Sequence, residues 1–320
     1  MNVDVHTHAV SKALLDKWAQ AETTDRWSDS PESGPVDPGV YDYAERFERM
    51  DEMGVDLHLV SPMTSFTTWA GGAADVEHAR EINQSTADCV ATADGRFAGM
   101  ATLALGEPEK APDELKRALE EHGFAGAFTG TYGGDRPLDD PAFEPIWEEL
   151  GRLEVPVFMH PMSPEPTPRW DEYTLTTAIN WPNETALAAS RLIFAGTLER
   201  NPGLKLILSH GGGTLPFLRG RLDLAYNAPK YENNPDCRAN ISKPPSEYLN
   251  QLYFDTAVAS PESLHFLIDL VGAERVVFGT DDPFEIADTG GKMALPTLEE
   301  RTASERDAIR GGTISALISR

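Results

Sequence analysis

Residues 2–10 read NVDVHTHAV. Valine alternates with polar residues at the start of the run, and His6 and His8 close it two positions apart. That is the pattern of a β-strand, in which residues i and i+2 point to one face. Both imidazoles therefore aim the same way from the strand's C-terminal end. No glycine-rich dinucleotide fingerprint follows, which argues against a doubly wound nucleotide-binding sheet. Whether the two histidines are a polar rim or half of a site depends on how the other strands end.

Further strand candidates lie at 55–60, 97–103, 124–129, 155–160, 204–209, 251–256 and 275–279, with the first at 2–6. Helical periodicity occupies 41–53, 75–93, 111–122, 141–153, 184–200, 261–271 and, as a C-terminal helix, about 304–319. DPAFEPIWEELGRLEVP (140–156) shows the alternation: an Asp-Pro start, apolar residues at helical spacing, then Pro156 leading a new strand. Eight strands alternating with helices predict an α/β fold, a distorted (β/α)8 TIM barrel forming a single domain over 1–320. Two polar stretches interrupt it, at about 11–40 after strand one and 162–183 after strand five. As loops inserted on the C-terminal face, they would flank the mouth where such barrels keep their sites.

The remaining strand ends supply partners for the two imidazoles. His160 ends strand five in VPVFMHP, His210 follows strand six in LKLILSHGGG, and Asp281 follows strand eight in VVFGTDDP. Five groups able to bind metal or carry protons thus fall at C-terminal ends of four strands. Imidazoles with a carboxylate suit Zn²⁺ or Mn²⁺, and the lack of cysteine argues against a structural zinc site. Taken singly, each has an ordinary reading as a loop hydrogen-bonder or turn former; their joint placement favours one site. His58 falls inside a strand and His78, His122 and His265 in helical stretches, so none shares that placement. The three glycines after His210 let the chain turn beneath the site; no lysine or Ser/Thr follows as a phosphate loop requires.

Composition excludes some partners. With 27 basic and 52 acidic residues in 320, the net charge is 27 − 52 = −25. Such a surface repels nucleic acid and anionic membranes. The basic residues are mostly arginine, a balance that suits solubility in a high-salt cytoplasm. No stretch approaches the roughly 20 apolar residues of a membrane span. The chain opens directly on a strand without a signal-like segment, and Cys89 and Cys237 have no metal or redox spacing. A cytoplasmic location is expected.

DVHTH (4–8), MHP (159–161), SHGGGTLPFLRGRLD (209–223) and FGTDDPF (278–284) together resemble the amidohydrolase superfamily (amidohydrolase family 2). The branch they resemble is the one related to aminocarboxymuconate semialdehyde decarboxylase. The resemblance implies that His6, His8, His160 and Asp281 bind one divalent metal, zinc before manganese, with a water. It implies that His210 transfers protons beside that water. Strand four ends GAFTGTYGG, with no lysine to form a bridging carbamate, which favours one metal. AERFERMDEMGV (44–55) resembles a segment whose arginine contacts a substrate carboxylate, here Arg46, with Arg49 as fallback. Arg221, eleven residues after His210, matches an arginine that reaches a neighbouring subunit's site, implying a homodimer. For both, a surface ion pair is the competing reading. Phe66, Trp69, Trp170 and Trp181 are candidates to line the pocket or simply to pack.

The expected activity is non-oxidative decarboxylation of an aromatic or muconate-like carboxylic acid, with His210 and Asp281 handling the proton. Hydrolysis of a lactone or amide, or hydration of an unsaturated acid, uses the same site; a degenerate, binding-only barrel is the non-enzymatic alternative.

Overall fold

The computed structural model describes residues 1–20, 37–67, 73–162, 170, 172–228 and 237–318. Eight parallel strands follow one another in chain order: β1 (Val3–His8), β2 (Leu57–Ser61), β3 (Phe97–Thr102), β4 (Gly126–Thr129), β5 (Pro156–Met159), β6 (Lys205–Leu208), β7 (Tyr253–Asp255) and β8 (Val276–Val277). Each coincides with a strand expected from the apolar runs. The ring closes between the last and first strands. Val5 N–H donates to Phe278 O at 2.9 Å, Asp281 N–H to His6 O at 2.8 Å and His8 N–H to Asp282 O at 3.0 Å. The fold is therefore a (β/α)8 barrel.

The longer helices are α1 (Lys12–Gln20), α2 (Ala44–Met53), α3 (Val76–Thr92), α4 (Ala111–His122), α5 (Glu144–Leu153), α6 (Trp181–Phe194), α7 (Leu215–Asn227) and α8 (Pro261–Val271). Their starts follow sequence chemistry: Asp75 accepts the His78 N–H at 2.8 Å to cap α3, and Ser260 caps α8. Proline occupies the first turn of α4 to α8. Strand residues facing outward, such as Val60, Ala101, Met159 and Phe254, join the apolar layer beneath the helices. Those facing inward form a second cluster, with Val5, Leu59, Met100, Phe128, Phe158, Ile207, Tyr253 and Val277 contributing one residue from each strand.

Three expectations change. The first insertion is not wholly irregular, because α1 forms at its start; residues 21–36 lie outside the described residues. In the second, a wide turn over Thr176–Asn180 leads into α6, which begins at Trp181, while 163–169 and 171 lie outside the described residues. The C-terminal helix is broken into Ala303–Asp307 and Thr313–Ile318. The break falls at Gly311–Gly312, where a Cβ on Gly311 would lie 2.0 Å from Met1 O. This close approach seats Ile314 and Leu317 against the interior cluster, closing the barrel where its strands begin. No described helix is long and apolar enough to cross a membrane.

One irregularity in β1 sets up the site. Val3 pairs with Leu57 but Thr7 with Val60, so β1 carries one residue more than β2 between these pairs. It is a β-bulge. Below it Val3 and Val5 face the barrel interior; above it His6 does too, its ring 4.8 Å from that of Phe158. Strict alternation would have put His6 on the face opposite Val5. Asp4 anchors the bulge, accepting the His6 N–H at 3.1 Å and the Thr280 hydroxyl at 2.6 Å.

Candidate metal centre

At the open end of the barrel, His6, His8, His160 and Asp281 converge, all buried. One potential ligand atom from each lies within 4.8 Å of every other. Asp281 Oδ1 is 3.0 Å from His6 Nε2, 3.2 Å from His8 Nε2 and 4.0 Å from His160 Nε2. Although close, these four atoms make no hydrogen bonds. Four buried polar atoms pointing at one another without hydrogens between them would be costly in an empty pocket. The arrangement fits a cation at their centre, and among the described residues no cysteine or lysine joins it.

The far side of each ring explains why the Nε2 atoms are free. His8 Nδ1 lies 3.1 Å from Pro62 O, and His160 Nδ1 lies 2.9 Å from Pro161 O. A carbonyl only accepts, so Nδ1 carries the proton and Nε2 keeps its lone pair toward the centre. His6 Nδ1 lies 2.6 Å from Asp255 Oδ2, a carboxylate that the strand pattern did not flag. Its signal was available: one acid at the end of the apolar run LYF, where an uncompensated charge is expensive.

Electrostatics follow from this crowding. Burial raises the Asp281 carboxyl, but His6, His210 and His8 outweigh it and hold the group well below its usual range. Burial lowers His6, yet Asp281 and Asp255 together lift it to about 10. His8 is lowered, chiefly by burial, and His160 is held well below its ordinary value by burial and the adjacent imidazoles. These shifts keep His8 and His160 neutral and Asp281 charged, as metal ligation needs, whereas His6 would give up a proton on binding.

His210 stands beside the four rather than among them. Its Nε2 is 3.3 Å from Asp281 Oδ2 and its ring is partly open to solvent. His210 and Asp281 both hold left-handed backbone, with φ of 53° and 66°. Gly211, Gly212 and Gly213 continue at positive φ, and a Cβ on Gly213 would lie 1.8 Å from Pro182 O. The glycines therefore make the turn that presents His210, as expected from the sequence. Trp181 and Phe284 approach the centre, their rings 6.2 Å from His160 and 5.2 Å from His8.

Arg46 and Arg49 both meet Asp282. The Arg46 side chain is fully buried behind the mouth, with Nη2 donating to His8 O at 2.7 Å and Nε 3.0 Å from Asp282 Oδ1. The fallback Arg49 grips the same carboxylate, Nε to Oδ2 at 2.9 Å and Nη2 to Oδ1 at 3.0 Å. These contacts tie α2 to β1 and β8, while Arg46 Nη1 is buried without a hydrogen-bond partner among the described residues. Arg221 projects from α7 and is exposed, beside exposed Phe217 and Leu224. Phe66 stacks on Trp18 at 3.8 Å, a packing role, and Trp170 is half-buried. Trp69 lies outside the described residues.

The profile of the amidohydrolase family matches residues 3–317. The 2-amino-3-carboxymuconate-6-semialdehyde decarboxylase of Dictyostelium discoideum is 31% identical over 279 residues, covering 87% of this chain and 76% of that protein. A gamma-resorcylate decarboxylase from a Polaromonas species is 32% identical over 279 residues, 82% of each chain. A solved dihydroxybenzoic acid decarboxylase from Polaromonas, with bound manganese and the inhibitor 2-nitroresorcinol, superposes with a TM-score of 0.81 at 26% identity. That superposition covers 99% of this chain and 96% of the other.

Proposed function

The chain belongs to the amidohydrolase family, and on that premise we propose that it is a metal-dependent, non-oxidative decarboxylase of a small aromatic carboxylic acid. The observation that carries the reading is the convergence of four hydrogen-bond-free ligand atoms with His210 at their edge. Relatives named as decarboxylases of carboxylated aromatic or muconate compounds support the reaction class.

His6, His8, His160 and Asp281 would hold a single divalent ion. Zinc stands first in the sequence reading, but the manganese in a related structure favours manganese, and the nitrogen–oxygen donor set accepts both. When bound, the ion supplies an electrophilic pole for the substrate's oxygens. The rest falls to side chains. His210, at the solvent edge and hydrogen-bonded to Asp281, is placed to bring a proton to the reacting carbon. The carbon–carbon bond to the carboxylate breaks, its electron pair stays on the ring carbon, and the proton from the His210–Asp281 pair joins that carbon as CO₂ leaves. Trp181 and Phe284 offer aromatic faces to a planar ring.

We assign the working unit as a cytoplasmic homodimer. Phe217 and Leu224 on α7 are 79% and 71% exposed, an apolar face that a second copy would cover, and Arg221 on the same helix would then approach the partner's mouth. Both cysteines are free. The test is CO₂ release from hydroxybenzoates and muconate-like acids, beside ring opening of lactones, with chelator-treated and Mn²⁺- or Zn²⁺-loaded protein. Lactone opening without CO₂ would replace the decarboxylase reading by a hydrolase.

A further inference from the structure

We infer that Asp255 is a positioning residue that sets the aim of two groups at once, the His6 ring and the backbone of His210. The inference rests on the metal-centre reading above. Asp255 ends β7 fully buried, and both its oxygens are engaged. Oδ2 lies 2.6 Å from His6 Nδ1; Oδ1 accepts the Gly211 N–H at 2.8 Å and the Ala257 N–H at 3.1 Å. The three donors come from β1, from the turn after β6 and from the turn after β7.

Each contact has a distinct effect. On the β1 side the carboxylate accepts the Nδ1 proton, which leaves the Nε2 lone pair facing the site centre. His8 and His160 are oriented by backbone carbonyls, so His6 alone of the three has a carboxylate behind its Nδ1. On the β6 side the Gly211 N–H belongs to the peptide that leaves His210, a residue held at a φ of 53°. Holding that N–H fixes the left-handed turn. The turn is pinned closely: a Cβ on Gly211 would lie 2.3 Å from Val258 Cγ1. One side chain thereby couples the direction of a ligand to the direction of the proton-transferring group.

Asp255→Asn tests this. The amide keeps the size of the side chain, and its oxygen still accepts from Gly211 and Ala257. Its NH₂ then meets His6 Nδ1 and forces the ring proton onto Nε2, against the metal. Mn²⁺ titration of chelator-treated protein, followed by calorimetry, should show affinity about 10- to 100-fold weaker than wild type with unchanged far-ultraviolet circular dichroism. Proton NMR should show a far-downfield imidazole N–H signal in wild type that disappears in the variant. Equal Mn²⁺ affinity in the two proteins, or a signal that survives the substitution, overturns the positioning role. If neither protein takes up Mn²⁺ or Zn²⁺ but the signal still depends on Asp255, the metal-centre reading fails while the orienting hydrogen bond stands.

Discussion

Arg46 and Asp282 face each other with neither side chain exposed to solvent, the guanidinium Nε 3.0 Å from the carboxylate Oδ1. The same arginine donates to the carbonyl of His8, so the pair holds the backbone of a candidate ligand from behind. Removing Arg46 leaves Asp282 to Arg49 alone and the His8 carbonyl without its donor, which costs about 1–3 kcal/mol. Arg46→Met should lower unfolding free energy by that order in denaturant titration. The same substitution would lower activity without global destabilisation if Arg46 bound substrate instead.

Metal removal should register as a loss of stability. The four convergent atoms lack partners of their own, so an ion that binds only the folded state adds stability by mass action, about 2.7 kcal/mol at a hundredfold excess over Kd. Differential scanning calorimetry should therefore show a lower Tm after chelation, restored by Mn²⁺ or Zn²⁺. Replacing His8 or His160 by alanine should abolish that restoration.

His210 stands outside the four-atom cluster, and its substitution should separate chemistry from metal uptake. His210→Gln is expected to reduce kcat by about 10²- to 10⁴-fold, with metal content by elemental analysis unchanged. Loss of the metal along with activity would make His210 a ligand rather than a proton carrier.

The exposed face of α7 carries an expectation about assembly. Phe217→Asp combined with Leu224→Asp should convert a dimer to a monomer in light scattering. Mixing a His210 variant with an Arg221 variant should recover part of the activity if Arg221 serves the neighbouring mouth. No recovery from the mixture would confine Arg221 to its own subunit's surface.

Glu114 sets an acid limit. Burial raises its carboxyl, but Arg117 and Arg80 outweigh that and lower it, with Arg80 Nε donating from α3 at 2.8 Å and Arg117 Nε at 2.9 Å. Because the folded value lies below the ordinary 4.5, its contribution is present at neutral pH and is lost as pH falls through the folded value. Glu114→Gln should cost on the order of 1 kcal/mol at pH 7, with the difference from wild type shrinking below pH 4.5 in chemical denaturation.

Much of this was readable from sequence because parallel barrel strands are buried on both faces and appear as short apolar runs. All eight emerged, and the chemistry at their ends marked His6, His8, His160, His210 and Asp281. Helix α7 escaped periodicity because its apolar Phe217 and Leu224 face outward, away from the barrel. The buried ion pair of Arg46 was not legible because sequence shows a charge but not its counter-charge, and Asp282 is 236 positions away. Asp255 was missed for the related reason that its donors come from three separate strand ends. The bulge in β1 is a matter of register between strands, which one strand's own letters do not contain.

That bulge makes β1 two half-strands out of phase. The lower half answers to the apolar floor through Val3 and Val5, and the upper half to the mouth through His6 and His8. Residue count, more than residue identity, is what aims the imidazoles. A one-residue deletion at the junction would therefore rotate the histidines out of the mouth while leaving every ligand intact in the sequence.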